Sequence, residues 1–577
     1  MFGKRVISGV VAGALALGLA WGGASASAEV MMASGEKMSP ERRDAISYLS
    51  SYDYWGGIES GNLYDNEDGT FTVVHFNEAG PENELTVSVY NGADNSRLST
   101  KQIPIELPFY MGFYHGDDFN YVVYGDKNEN DDDSVEVFRL VKYDKAFNRL
   151  SHLSIRGCYT YMPSHSGSLR MAENDDGSEL TIHTARTRYL SDGRTRHQSQ
   201  LTLVVDTVNM TLKNSDDVGA FQANHVSHSF DQHVLYDDDS NQRVLVDLGD
   251  AYPRGVVLNK WIEDETGGYY SQVMLYEIPG ELGANSTGVM VGGFEQSDDN
   301  YLVAIHAVHP QLVLDYQPFE LVEETERRDV ILLVSDKDNT SEENVRKIKL
   351  TNYVGTETSA SRPRLVKLDD NRFLVMWQEI RKHCTPTQWG WSEVDDIDCG
   401  LRYVQVDGDG NLLSDVMTRG DLYLSPDCQP QIVGDRLLWY ADSYDYAAEK
   451  STRQFNSIGM SHFIAVEVDG KFVRFDQRPT ILGGRTLVPM RAIFEALDAT
   501  VDWNNATRTA TSTLGGTTVS VTIGSNVMYK NGQQIPLDVS AQMIGGRTMV
   551  PVRAIAEAFD CEVDWDSETR TVIIERN

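Results

Sequence analysis

Six histidines fall between residues 165 and 233: His165, His183, His197, His225, His228 and His233. Arg170 and Arg186 are interleaved with them, and the unusual run Gly249-Asp250-Ala251-Tyr252-Pro253-Arg254-Gly255 follows. Imidazoles exchange donor and acceptor roles near neutral pH, guanidinium groups grip carboxylates, and a nearby Asp can orient either. Gathered by loops onto one surface, such a set could bind an acidic sugar or a peptide. We therefore take Arg170, His183, Arg186, His197, His225, His228, Asp250 and Arg254 as candidate ligand-binding residues. The competing reading is polar structure in which these groups satisfy one another between strands. No metal is assigned to them, because His225-Val226-Ser227-His228 lacks the Glu base and the helical context of an HExxH site.

Other chemistries leave weaker marks. Asp126-Lys127-Asn128-Glu129-Asn130-Asp131 and Asp407-Gly408-Asp409-Gly410-Asn411 alternate oxygen ligands, so calcium is the one cofactor the sequence permits. Neither stretch completes an EF-hand, since the first lacks Gly at its sixth position and has Val137 where the closing Glu belongs, and solvated turns are the default. No GxSxG elbow, P-loop or GxGxxG after a strand occurs. A carboxylate pair for glycoside chemistry cannot be singled out among 86 acids. Of the five cysteines, Cys158, Cys384, Cys399 and Cys428 allow three pairings, with Cys384–Cys399 favoured, while Cys561 is expected to stay a free thiol. No CxxC or Cys/His spacing suggests zinc.

Several elements must carry these residues. Lys4-Arg5, an apolar run to Trp21 and Ala26-Ser27-Ala28 have the form of a secretory signal over residues 1–28, so export is expected. Residues 29–59 read as a lead segment, with a short capped helix at 39–50. Net charge is −36, and residues 463–577 hold only 14 acids against 11 bases, so nearly all of the excess falls on residues 29–462. Such a surface repels phosphate backbones and excludes nucleic acid as a partner. No second long apolar run follows the signal, so no transmembrane segment is expected.

Residues 60–462 repeat an acidic turn followed by a β-branched or aromatic strand: Asp68–Val74, Asp117–Val123, Asp175–Ile182, Phe230–Leu235, Asp298–Ile305, Asp369–Trp377 and Gly434–Trp439. Seven units about 50 to 72 residues apart are what a seven-bladed β-propeller would write. A β-sandwich array is the rival architecture. Further strands at Glu84–Tyr90, Val135–Val141 and Leu201–Asp206 would complete the sheets.

The tail carries a duplication. Gly483-Gly484-Arg485-Thr486-Leu487-Val488-Pro489-Met490-Arg491-Ala492-Ile493 returns as Gly545-Gly546-Arg547-Thr548-Met549-Val550-Pro551-Val552-Arg553-Ala554-Ile555, and the same offset of 62 relates Trp503 to Trp565. Each copy predicts strand, Gly-Gly turn, strand, short helix and hairpin, with Arg491/Glu495 and Arg553/Glu557 as solvated helix pairs. This pattern resembles the copper amine oxidase N-terminal-like domain, a small stalk domain found in tandem on secreted and surface proteins of Gram-positive bacteria. The resemblance spans residues 463–577, in copies of about 463–524 and 525–577, and departs from the family only where Asp498 and Asp560 stand in place of Gly. The oxidase's catalytic motifs are absent, and Thr351-Asn352-Tyr353-Val354 lacks the spacing and acid of its cofactor tyrosine. The sequence thus predicts a mainly β protein, a propeller followed by a small α+β domain of two ββαββ-like repeats. Its expected role is as a secreted, envelope-associated binding protein, holding a wall polymer or surface protein through residues 463–577 and a carbohydrate or peptide on the propeller. An extracellular carbohydrate-active hydrolase or lyase is the alternative.

Overall fold

The computed structural model describes residues 56–76, 84–164, 166–191, 193–265, 267–283, 287–310, 327–386, 392–425, 428–445 and 450–577. The signal, the helix expected at 39–50 and His165 lie outside them, as do the side chains of Cys384 and Cys399. Cys158, Cys428 and Cys561 are free and buried.

The chain up to Gly459 is a succession of antiparallel meanders. Residues 61–104, 109–156 and 289–349 each form a four-stranded sheet, and strands between 358 and 419 form a five-stranded variant of the same plan. Residues 431–459 give three strands. Between 160 and 277 two such meanders run into one nine-stranded sheet, joined only through the pair Ser199↔Ser227. For clarity the meanders at 160–212 and 227–277 are called the third and fourth, and 289–349, 358–419 and 431–459 the fifth, sixth and last.

Alternation of apolar residues on both faces of these strands makes each meander bury two surfaces, and the apolar clusters show against what. Val74, Val87 and Tyr124 join the first meander to the second, Tyr121, Ile182 and Leu203 the second to the third, Val246 and Ile305 the fourth to the fifth, and Val330 with Trp377 the fifth to the sixth. Leu63 and Phe71 share a cluster with Met376 and Trp439, so the last meander packs on the first. Polar contacts repeat this closure: Gly434 N–H donates to Asp65 at 2.7 Å and Arg436 to Asn95 at 2.6 Å.

Six of the seven expected acidic units are the first turn and second strand of a meander. The exception is Phe230–Leu235, which lies in the first strand of the fourth meander, Ser227–Tyr236. The equivalent turn there is Asp237-Asp238-Asp239, leading into Arg243–Ala251. Asp231 misled the pattern because it is a fully buried strand residue held by Arg362, not a turn. True turn acids cap their own turns, as Asp68 does for Thr70 N–H and Asp176 for Ser178 N–H.

In the tail, α1 (Met490–Ala496) and α2 (Val552–Ala558) each follow a proline and bury one stripe, Ile493 and Phe494 or Ile555 and Ala556. Asp498 and Asp560 both take φ of +62°, the left-handed closure that the family fills with Gly. Arg491, Glu495, Arg553 and Glu557 are exposed, as solvated pairs should be. The sequence copies are not the structural units, however. Strand 465–468 pairs in parallel with 571–574 beside 561–566, whereas hairpin 527–536 joins strands 500–504, 509–514 and 517–522. Each copy therefore gives its opening hairpin to the other's sheet.

Candidate functional site

The candidate residues separate into three places. His183 is fully buried, with Nδ1 3.0 Å from Thr202 Oγ1 and Nε2 3.1 Å from Asp247 Oδ2. Arg186 is also buried and donates to the carbonyls of Cys158, Val218 and Gly219, tying down the connection into the fourth meander. These two are structural: the third and fourth meanders meet across a polar seam instead of an apolar one. Along it Asp247 accepts from Ser229, Gln232 donates to Ser229 and accepts from Ser168 N–H, and Ser168 donates to Asp231. Buried polar groups need partners, and the Ser, Gln, Thr and His side chains there supply most of them to one another.

A second group does converge. His197 and His228 stack with centroids 6.1 Å apart, and His228 Nδ1 lies 3.0 Å from Asp250 Oδ1. Arg254 stands opposite Asp250 in the register of the same hairpin and donates to Pro279 O. Arg188 N–H bonds His197 O, the Arg188 guanidinium covers Phe221 at 4.6 Å, and Phe221 meets His225 edge-on at 4.8 Å. Burial, with Arg188 and Arg186 adding to it, pushes the His225 imidazole down to about 4, so it is neutral at physiological pH. Contacts thus link Phe221 to His225 and Arg188, and His197 to His228 and Asp250, over the buried Arg188 and Asp250, and Tyr252 stands two residues past Asp250 at the tip of the same hairpin; this is called the Phe221–Tyr252 ridge. It sits at the second-to-third strand ends, opposite the acidic turns. Phe221 and Tyr252 are 66% and 73% exposed, unusual for aromatic side chains. His228 holds φ of +50°, a conformation that costs a non-glycine residue of order 1 kcal/mol or more and concentrates at functional positions. Sequence reasoning missed Phe221 and Arg188, which carry no motif and lie near the histidines only in space.

Arg170 belongs to a third place, where the first strands meet. Its Nη2 lies 2.8 Å from Glu59 Oε1, and Arg364 reaches the same oxygen at 3.3 Å. Nearby, Arg362 pairs with Asp231 at 2.8 Å. Glu59, Asp231, Arg362 and Arg364 were invisible as a group, being scattered over three hundred residues without a spacing signal.

The acidic loops spend these oxygens on their own backbone or on neighbouring strands. Asn128 Oδ1 accepts from Asp132 N–H, Asp131 pairs with Arg196 at 2.6 Å, and Asp407 caps Asp409 and Asn411 N–H. Among the described residues no group of three or more His, Cys, Asp or Glu is placed to hold a metal ion. No described helix is long and apolar enough to cross a membrane. Tyr353, the nearest residue to an oxidase cofactor tyrosine, donates to Glu379 at 2.8 Å.

Residues 467–574 match the copper amine oxidase N-terminal domain. No curated protein matches the chain. Its neighbours among solved structures are β-propeller proteins. The β-propeller domain of the Trilobed protease from Pyrococcus furiosus has 9% identity and a TM-score of 0.34, covering 70% of this chain and 98% of that one. Hydrazine synthase of Kuenenia stuttgartiensis has 10% identity and a TM-score of 0.36, covering 70% and 96%. The acylaminoacyl peptidase of Pyrococcus horikoshii has 10% identity and a TM-score of 0.35, covering 80% and 57%. The described residues before the copper amine oxidase N-terminal domain are mainly β.

Proposed function

We propose that this is an exported, envelope-associated binding protein. Its meanders form a seven-bladed propeller, the Phe221–Tyr252 ridge is its ligand face, and the copper amine oxidase N-terminal domain is its stalk or attachment module. The observation that supports the reading is the ridge itself: two exposed aromatic side chains, Phe221 with one face against Arg188, stand beside imidazole and guanidinium groups. Aromatic planes stack on the apolar faces of sugar rings or on peptide side chains, while the polar groups between them orient a carboxylate or hydroxyl. Binding is favoured over hydrolysis because Asp250 is the one carboxylate among the ridge residues, and it is buried against His228. Glycoside hydrolysis needs two carboxyl groups facing the scissile bond.

The test is a pulldown of the mature protein, and of residues 463–577 alone, against purified wall polysaccharide and peptidoglycan. Retention of the full chain, weakened at least about tenfold by Phe221→Ala with Tyr252→Ala, supports the ridge; a tenfold loss corresponds to about 1.4 kcal/mol. Retention of the double variant equal to wild type would remove the ridge from the proposal. Binding by the full chain but not by residues 463–577 would remove the attachment role of the module.

A further inference from the structure

Two guanidinium groups lie at the base of the ridge with no described carboxylate paired to either. Arg186 and Arg188 stand two residues apart on strand Glu179–Arg188, so their side chains leave the same face. Arg186 is wholly buried and donates to the carbonyls of Cys158, Val218 and Gly219. Arg188 keeps 9% of its surface and donates to Ala220 O at 3.0 Å. The Nε of each is buried and has no hydrogen-bond partner. Other buried arginines meet an acid: Arg362 lies 2.8 Å from Asp231 and Arg372 2.6 Å from Asp369. In a chain with 86 acids against 50 bases, a pair of buried cations held by carbonyls alone is out of keeping, because carbonyl dipoles leave the charge unbalanced.

The same short segment that holds these cations also presents a surface beside them. The Phe221 ring lies on the Arg188 guanidinium at 4.6 Å, and with 66% of the residue exposed its other face is open to solvent. His225 meets the edge of that ring at 4.8 Å, and burial, with Arg188 and Arg186 adding to it, keeps its imidazole neutral at physiological pH. A guanidinium with a spare donor suits a carboxylate, a flat apolar ring suits the C–H face of a sugar, and a neutral imidazole, which both donates and accepts, suits a hydroxyl.

We propose that the ridge selects acidic sugars and that Arg188 is the residue that selects them. The sugar carboxylate takes hydrogen bonds from Arg188, its ring lies on the outer face of Phe221, and a hydroxyl meets His225. Arg186 is a positioning residue: it adds charge from beneath and fixes the segment that carries Phe221. The proposal rests on the ridge being a ligand face and adds to that reading the charge of the ligand.

Isothermal titration calorimetry on the mature full-length chain tests it with three small probes, glucuronate, glucose and acetyl-alanine. Glucuronate should bind at least about tenfold more tightly than glucose, and raising NaCl from about 50 to about 500 mM should weaken glucuronate alone. Arg188→Met should lower glucuronate affinity to that of glucose, while Arg188→Lys, which keeps the charge but loses the planar fork, should fall between. Equal affinities for glucuronate and glucose in wild type, or glucuronate affinity unchanged in Arg188→Met, would overturn the proposal and leave the ridge as a neutral stacking surface. Tighter binding of acetyl-alanine than of glucuronate would overturn it in favour of a peptide carboxylate. Failure of every probe to bind would also overturn it, whereas the ridge itself is judged by the pulldown of Phe221→Ala with Tyr252→Ala. Should Arg188→Met not fold, the wild-type comparisons of probe and of salt decide alone.

Discussion

Individual side chains set how this protein responds to pH. His75 is packed between Tyr440, Asp442 and Arg453, and burial lowers its pKa to about 4, Asp442 offsetting this only in part. His225 is depressed to about 4 as well. A histidine whose folded pKa lies below its unfolded value of about 6.5 takes up its proton mainly on unfolding. Stability is therefore intact above pH 6.5 and falls as pH drops from 6.5 toward 4. Glu295 works in the opposite sense: burial raises it to about 7, so its contribution is present at low pH and is lost as pH rises from its unfolded value toward 7. Burial lowers six described histidines, His115, His233, His306 and His462 besides these two, and raises four carboxyls, Glu173, Asp217 and Asp238 besides Glu295, so the histidines give a net loss of Tm on acidification between pH 6.5 and 4.5, and His75→Gln should flatten that slope. A slope identical in the variant would show that His75 does not keep its low pKa in solution. Asp498 offers a second residue-scale check, because its φ of +62° suits Gly. Its contact with Arg576 is exposed and worth little, so Asp498→Gly should leave stability within about 1 kcal/mol of wild type while Asp498→Val lowers it by more. Equal denaturation midpoints for the Gly and Val variants would refute the backbone argument.

At the level of elements, the tail shows what sequence patterns can and cannot carry. The Gly-Gly turns, the prolines opening α1 and α2 and the Asp closures were all legible, because each is a local backbone requirement written in one or two residues. The exchange of hairpins was not, since 465–468 satisfies the same alternation whether it pairs with 509–514 or with 571–574. What selects the exchange is reciprocal: Arg485 meets Asp538 at 2.7 Å and Arg547 meets Asp476 at 2.6 Å, each Gly-Gly-Arg turn reaching an acid of the opposite copy. Val488 opposite Val550 joins the two copies between these contacts. The same limit explains the body of the molecule. Meanders were legible as acidic turns before β-branched strands, and failed only at Asp231, where an acid is buried by a cation 131 residues away. It explains the ridge too: His197, His228, Asp250 and Arg254 were legible as residue types, but their separation from His183 and Arg186 depends on which strand ends face solvent. From the exchange it follows that residues 463–524 alone lack the hairpin 527–536 that completes their sheet. That fragment should be unfolded or should dimerise by exchanging hairpins, whereas residues 463–577 should be a folded monomer. A folded monomeric 463–524, seen by circular dichroism and sedimentation, would contradict the observed pairing.

For the whole molecule the question is whether the small domain hangs free or is fixed to the mainly β body, because the ligand face proposed above would be useful at a surface only if its support held it in a defined direction. Only short backbone separates the last strand of the body, ending at Gly459, from the first of the tail at Ala465. Several contacts cross that junction. Arg372, nearly buried, is paired with Asp369 and donates to the carbonyls of Phe463 and Thr569, thereby clamping both ends of the tail domain at once. Met460 N–H donates to Asp435 O, and Phe475 exchanges backbone bonds with Leu413 and Asp415 in a parallel bridge beside Ser414. Arg474 adds an exposed pair with Asp415 at 2.5 Å. The attachment lies at the end carrying the acidic turns, and the Phe221–Tyr252 ridge lies at the opposite strand ends, the placement that the proposed stalk role needs. Removing one partner of a buried charged contact costs about 3–5 kcal/mol, far more than an exposed pair such as Arg474–Asp415. Arg372→Ala should therefore release the domain, raising the radius of gyration in small-angle scattering and exposing residues 460–464 to protease, while Arg474→Ala should do neither. Scattering curves that superimpose for wild type and Arg372→Ala, with unchanged proteolysis, would mean that apolar packing alone fixes the junction and that the clamp is dispensable.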